Sequence, residues 1–371
     1  MTGDATAPLL LHVFPSFAVG GAQQRMAAVA NRFGRRWRHA VIALDGNTEA
    51  RARLAPELDV RFPQIALSKG DTVRSVWRCR AALRAIAPAL LVTHNWGTIE
   101  WAIAARFGCV PHVHIEDGFG PEERAQQLPR RVLTRRLVLR RATVVLPSRT
   151  LLRIATRVWR LPQRRVRYIP NGIDLARFAP AAAEAAPPWP RDLPVIGTVA
   201  ALRPEKNLVR LLDAFALLRA THPARLVIVG DGKLRAALAA RAGELGIGDR
   251  VVFAGATDDA PRAYRNFDVF ALSSDTEQMP LSVLEAMGCA LPVAATDVGD
   301  VASMLAEANR PYVVPQDVLA LAASLAALLD APGARAALGA ANRARARIEF
   351  DQEAMFAAYA GLFGAACEQS A

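Results

Sequence analysis

Two rhythms alternate along the chain: short continuous apolar runs, and longer stretches whose apolar positions recur at helical spacing. The runs of the first half predict strands at Leu9–Phe14, Ala40–Leu44, Leu90–Thr93, Val110–Ile115, Thr143–Leu146 and Val166–Ile169. Helical patterns separate them, for example Gly21–Phe33, Thr72–Ile86 and Pro129–Arg141. The second half repeats the scheme, with strands expected at Val195–Val199, Leu226–Val229, Val251–Ala254, Val269–Leu272, Pro292–Ala295 and Tyr312–Val314. Strand–helix alternation predicts α/β architecture, with parallel sheets covered by helices on both faces. The seam is Ala179–Arg191, which holds four prolines and no apolar periodicity and so reads as a linker. Two Rossmann-like domains, residues 1–178 and 192–350, with a cleft between them are expected.

Composition agrees with that division. A chain of 371 residues with 52% hydrophobic content is long enough for two domains and too apolar to be disordered. The four cysteines are isolated, with no CxxC pair, which excludes a disulfide scaffold or a structural zinc site and fits a reducing cytoplasm. No apolar run reaches the roughly 18–20 residues of a spanning helix. The stretch Ala7–Ala22 lacks a basic leader and ends in Gly20-Gly21, so it is read as a first strand and a glycine turn, not a signal peptide. Charge is lopsided. Residues 1–190 hold 29 basic and 13 acidic side chains, and the remainder 17 and 21. A basic half faces phosphate, nucleic acid or an anionic membrane, unless it reflects arginine-rich usage alone.

In open α/β sheets ligands bind at strand carboxyl ends, so chemistry is sought in the strand-to-helix loops. Ser274–Gly288, SDTEQMPLSVLEAMG, follows one strand. Pro280 suits a helix start and Gly288 its end, and Met279 cannot cap the amides of Leu281 and Ser282. An uncapped helix N-terminus takes anions or sugar hydroxyls. Glu285 sits among apolar neighbours, where a carboxylate is costly unless it holds something, and a ribose diol suits it. Glu277, eight residues earlier, could reach the other end of the same ligand. In Ala201–Asn207, ALRPEKN, Arg203 and Lys206 bracket Pro204 at the start of an expected helix Glu205–Leu218. Cations there oppose the macrodipole, and a bound phosphate would reverse that penalty. Gly230-Asp231-Gly232 after another strand permits close backbone approach, a weak signal by itself. In the first half, His114 and Asp117 of HVHIEDGFGPEE could orient a substrate hydroxyl or act as a base, whereas His94 and His112 read as structural.

Taken in order, these loops resemble the retaining family-4 glycosyltransferases of the two-Rossmann B fold, exopolysaccharide type, over nearly the whole chain. The Glu-x7-Glu segment Glu277–Glu285 with the following AMGCALPVAATDVGD carries most of the likeness. PSFAVGGAQ, PSRTL, IPNGID and LRPEKN support it. The resemblance implies that Glu277 touches the donor sugar and Glu285 the ribose. It makes Arg203 and Lys206 the diphosphate clamp. Gln278, Met279, Pro280, Leu281 and Ser282 become the sugar and phosphate cradle, with Gly230 beside it. Gly20 and Gly21 resemble the glycine loop facing the diphosphate across the cleft, His114 resembles the family's post-strand histidine, and residues 351–371 look like the closing helix that packs back on the first domain. Two departures stand out: Gln23 and Gln24 where an acidic residue is common, and Gln278-Met279-Pro280 where Gly-Phe-Gly is common. Pro280 leaves the cradle one N–H donor fewer.

The implied activity is retaining, metal-independent transfer of a sugar from a UDP- or GDP-sugar to a glycan acceptor, polyprenyl-diphosphate-linked, in cell-surface polysaccharide synthesis. No strand-end DxD stands out, no cofactor is expected beyond the donor, and no protein nucleophile is invoked. Between Arg124 and Arg167 stand 14 arginines and no acidic residue. Those of Pro129–Arg141 alternate with apolar positions, the pattern of a helix on an anionic membrane. The expected location is therefore cytoplasmic, peripheral at the inner face of the plasma membrane. Nucleic acid is not expected, because no recognition motif or stacking platform accompanies the arginines. A sugar-nucleotide epimerase or phosphorylase on the same fold, or a non-catalytic glycan- or membrane-binding member, are the alternatives. Release of a new sugar nucleotide without acceptor would mark an epimerase.

Overall fold

The apolar runs become parallel strands covered on both faces, as runs without polar alternation must be. The computed structural model describes residues 7–65, 67, 70–108, 110–123, 126–180 and 189–368. Cys109, Arg124 and most of the expected linker lie outside the described residues. Two units result, Met1–Pro170 with Glu353–Ala371, and Asn171–Gln352.

The first unit holds β1 (Leu9–Phe14), β2 (Arg38–Ala43), β3 (Val60–Arg61), β4 (Leu90–His94), β5 (His112–Ile115), β6 (Thr143–Leu146) and β7 (Val166–Tyr168), in the order β3-β2-β1-β4-β5-β6-β7. All pairs are parallel; Leu11 of β1 lies between Ala40 and Leu91. Only β3 had no forerunner in the sequence reading, because two residues at a sheet edge show no period. Helices Gly21–Phe33 and Thr72–Ile86 form as the spacing predicts, the second capped by Asp71, which accepts from the Arg74 amide at 2.9 Å. The expected helix Pro129–Arg141 ends its α-turns at Val138 and tightens to a 3₁₀ turn over Leu139–Arg141. The C-terminal helix Gln352–Glu368 packs Met355, Phe356, Tyr359 and Phe363 against Leu10, Trp37, Val92 and Val113 of the first unit's core.

The second unit holds β8 (Val195–Val199), β9 (Arg225–Val229), β10 (Val251–Gly255), β11 (Val269–Leu272), β12 (Val293–Thr296) and β13 (Val313–Val314), in the order β10-β9-β8-β11-β12-β13. Residues 171–178, grouped with the first half by sequence, fall in this unit. Ile173 donates to the Phe350 carbonyl at 2.8 Å and accepts from the Gln352 amide at 3.2 Å. The helix Leu281–Gly288 ends at the expected Gly288; the left-handed turn beyond it is made by Ala290 at φ +57°, and a Cβ on Gly288 would lie 2.9 Å from the Phe178 carbonyl oxygen.

Candidate functional site

In the second unit the chain leaves β8 toward β9 and β10, and leaves β11 toward β12 and β13. The loops after these two adjacent strands diverge, which makes the ligand crevice of an open parallel sheet. They overlap the two segments that the sequence marks, Ala201–Asn207 and Ser274–Gly288. The fold stitches them together. The Asp275 amide donates to the Glu205 carbonyl at 2.9 Å, and the Asp275 carboxylate accepts from Asn207 at 2.9 Å and Arg210 at 2.7 Å. Ser273 Oγ donates to the Lys206 carbonyl at 3.0 Å. Sequence reasoning missed Asp275, Asn207 and Arg210, since each is unremarked within its own loop and gains meaning only by pairing.

The loop after β8 departs from expectation. No long helix starts at Glu205. Pro204–Lys206 form a 3₁₀ turn, and Asn207, left-handed at φ +39°, caps a helix Leu208–Leu218 through its side chain. An Asn cap tolerates that conformation and satisfies an end amide, so it wins over continuation of the turn. Arg203 and Lys206 therefore precede the helix and do not sit on its first turn. Lys206 Nζ reaches Glu277 Oε1 at 2.5 Å, and Ser274 Oγ donates to the same oxygen at 2.8 Å. Arg203 is exposed and, among the described residues, its side chain makes no hydrogen bond or ion pair. Gly230 packs against this loop: at φ +134° its Cβ would fall 1.9 Å from the Ala200 carbonyl oxygen. The close approach that the glycine permits is thus to the backbone leading into Arg203.

Behind Glu277 the backbone is braced from three sides. Gly299, at φ +58°, leaves only 2.3 Å between a Cβ and the Glu277 carbonyl oxygen. The Asp300 amide donates to the Gln278 carbonyl at 2.9 Å, and Asn171 Nδ2 donates to the Met279 carbonyl at 2.9 Å. The helix Leu281–Gly288 then begins after Pro280 with no side-chain cap, leaving its first amides to a ligand or water. Pro280 stands just before the first helical residue, where its missing N–H removes nothing from the helix. Glu285, half-buried, accepts a 2.6 Å bond from the Tyr264 hydroxyl on Oε2. Burial pushes the Glu285 carboxyl above its usual range, against the opposing bond from Tyr264 and the charge of Arg177. Burial, with the Glu285 charge, pushes the Tyr264 phenol well up. Tyr264, fully buried in an aromatic cluster, carried no sequence signal.

The first unit has its own divergence point, between β1 and β4. Gly20 stands in extended backbone ahead of helix Gly21–Phe33, which has no side-chain cap, and Gln23 folds back to the Ser16 carbonyl at 2.8 Å. His114 lies inside the sheet. Its Nδ1 is 2.8 Å from Thr93 Oγ1 and its Nε2 is 3.4 Å from Glu116, so both nitrogens are engaged within the core. His112 shares the Thr93 hydroxyl at 2.7 Å, and His94 stacks on Phe14. Asp117 emerges at the end of β5, gripped by Arg25 at 2.7 and 2.9 Å. The arginine run is not one continuous face. Arg135 is fully buried, bidentate to Glu123 at 3.0 Å and bonded to Glu116 at 3.2 Å, and Arg131 pairs with Glu122 and Glu123. The acids that swallow these two arginines lie in the preceding loop, outside the acid-free run. Among the described residues no three His, Cys, Asp or Glu side chains converge as a metal site.

A family model described as "Glycosyltransferase Family 4" matches residues 19–177, and one described as "Glycosyl transferases group 1" matches residues 182–345. A "GDP-mannose-dependent monoacylated alpha-(1-6)-phosphatidylinositol monomannoside mannosyltransferase" of Corynebacterium glutamicum is 32% identical over 204 residues, 51% of this chain and 53% of that protein. A "D-inositol 3-phosphate glycosyltransferase" of Salinispora tropica is 32% identical over 290 residues, 70% and 60% of the two chains. The chain thus spans between half and two thirds of the length of these curated relatives. The solved structure of Anabaena Alr3699/HepE in complex with UDP-glucose superposes with a TM-score of 0.79, covering 96% of this chain and 100% of that one at 19% identity, a likeness of fold.

Proposed function

The chain belongs to glycosyltransferase family 4, and on that premise we propose that it moves a sugar, with retention, from a nucleoside diphosphate sugar to a glycan acceptor. UDP-sugar is favoured and GDP-sugar is the second candidate. The observation that carries the proposal is the Lys206–Glu277 pair at the divergence of β8 and β11, beside exposed Arg203 and a helix N-terminus without a side-chain cap. Arg203, Lys206 and the amides of Leu281 and Ser282 take the diphosphate charge, Glu277 takes the donor-sugar hydroxyls, and Glu285, oriented by Tyr264, takes the ribose. Preorganised donors aimed at a leaving group stabilise the transition state without a metal. Donor hydrolysis by the purified protein tests this. Glu277→Ala and Arg203→Ala are each expected to lower turnover about 10²–10³-fold, and EDTA to leave the wild-type rate unchanged. Unaltered turnover in both variants would remove the site assignment.

The acceptor is assigned to the first unit, with a lipid-linked glycan at the cytoplasmic membrane face as the favoured class, and surface-polysaccharide synthesis as the setting. Exposed Leu133 and Leu137 on helix Pro129–Val138 support it, flanked by exposed Arg130, Arg136, Arg140 and Arg141. Apolar side chains set among cations suit an anionic lipid surface. The protein is expected to sediment with vesicles of anionic phospholipid at low salt and to be released at about 1 M salt, where screening is nearly complete. Equal recovery with neutral vesicles would show the arginine face to be merely solvated.

A further inference from the structure

The grip on Asp117 is more elaborate than an exposed loop carboxylate requires. Arg25, on the helix that follows the Gly20-Gly21 turn, has a side chain only 4% exposed, and both its terminal nitrogens meet the two Asp117 oxygens at 2.7 and 2.9 Å. Burying a guanidinium in this way costs several kcal/mol of desolvation in general, repaid only by good geometry. From the other side the Asp117 amide donates to Asn95 Oδ1 at 2.7 Å. Asn95 holds a left-handed φ of +58° while its own amide donates to the Ile115 carbonyl at 2.9 Å. Strained backbone of this kind persists where the surroundings impose it, and it clusters at functional sites. The helix after β1 and the loops after β4 and β5 are thereby locked around one carboxylate at the divergence point of the first sheet.

A bidentate pair uses one lone pair on each carboxylate oxygen and leaves the outer ones as acceptors. The Asp117 side chain remains 17% exposed. Accordingly, resting on the glycosyltransferase reading above, we infer that Arg25 and Asn95 are positioning residues that aim the Asp117 carboxylate at a hydroxyl of the acceptor sugar. Asp117 is the group that touches substrate. His114, with both ring nitrogens engaged inside the sheet, supports the strand ends from behind.

The experiment uses the full chain, UDP-glucose and GDP-mannose as donors, and octyl glycosides of glucose, galactose and mannose as acceptor probes. A hydrogen bond to a charged group supports an effect of about tenfold or more. Arg25→Gln, Asn95→Ala and Asp117→Asn are expected to raise KM for the acceptor by that factor, with KM for the donor moving less than about twofold. Arg25→Lys, which keeps the charge without the fork, is expected to rescue only in part. Should Arg25→Gln fail to fold, Asn95→Ala and Asp117→Asn give the same reading. An unchanged acceptor KM in all variants overturns the inference, as does a parallel rise in both KM values, the mark of a structural role. A wild-type protein that turns over neither donor overturns the glycosyltransferase reading and this inference with it, a result distinct from both.

Discussion

Acidification from pH 7 to pH 5 is expected to destabilise the first unit markedly more than the second. Five of the chain's six histidines lie in β1, β2, β4 and β5 of the first unit. Burial lowers His39 from the ordinary 6.5 to about 4 and His112 to about 3. Burial drives His12 and His94 well below 6.5, reinforced by His39 at the first and by His12, Arg25 and His114 at the second. His12, His39 and His94 line one small cavity with Arg25 and Tyr359, and each has a buried ring nitrogen with no hydrogen-bond partner among the described residues. Protonation there would place cations beside a fixed guanidinium.

The sign follows from linkage. The unfolded chain protonates these rings below about pH 6.5 and the folded chain only at lower pH, near 4 at His39 and near 3 at His112, so the stability they permit is complete above pH 6.5 and drains away as pH falls. At pH 5 a ring held as low as those of His39 and His112 contributes about 2 kcal/mol of loss, roughly 4 kcal/mol for the two, against a typical total of about 5–15 kcal/mol, and His12 and His94 act in the same direction. Five of the six tryptophans, all but Trp189, are in the first unit, so intrinsic fluorescence follows its unfolding while circular dichroism follows both units. His94→Phe, placed against Phe14, is expected to flatten the profile. Emission that stays constant from pH 7 to pH 4.5 would contradict the expectation.

Arg135→Met is expected to cost about 3–5 kcal/mol, because removal of one member of a buried ion group strands the others. Arg135 sits with no exposed surface between Trp96, Phe119 and Trp159, its guanidinium carbon 4.8, 5.3 and 5.0 Å from their ring centres. Burial alone would push the Glu123 carboxyl up, and the bonds from Arg135 and Arg131 hold it below its usual range instead. Without Arg135 that balance reverses, and Glu116, whose Oε1 already has no partner among the described residues, loses one bond more. Arg135→Lys is not conservative here, since one ammonium cannot serve two carboxylates and three ring faces. The melting temperature should fall by about 10 °C or more. Arg136→Met, one residue away and exposed, should stay within about 0.5 kcal/mol of wild type. Equal melting of the two variants would show that the cage contributes little.

Arg135 and Arg136 also mark where reading a sequence stops. Both stand in one arginine run and look alike, yet one is swallowed and the other solvated. The difference lies in Glu116 and Glu123, and in a tryptophan from each of two other segments, which no local pattern connects. The strands were legible because burial on both faces demands an unbroken apolar run. β1, β6, β8 and β11 begin and end where the runs do. Glu277, Glu285, Arg203 and Lys206 were legible because charged residues at the carboxyl ends of such strands, or inside an apolar helix, are costly without a purpose.

The sequence by itself therefore determined two parallel-sheet units, the two loops at the second unit's divergence point, and the charged residues within them. Tertiary structure alone decided the pairings: Lys206 with Glu277, Tyr264 with Glu285, Arg25 with Asp117, and Arg135 with its acids and rings. Periodicity and capping act within a few residues along the chain, so the sequence displays them directly. Pairing energies depend on distances between segments far apart in the chain, 92 residues for Arg25 and Asp117, and exist only once the sheets have brought their loops together.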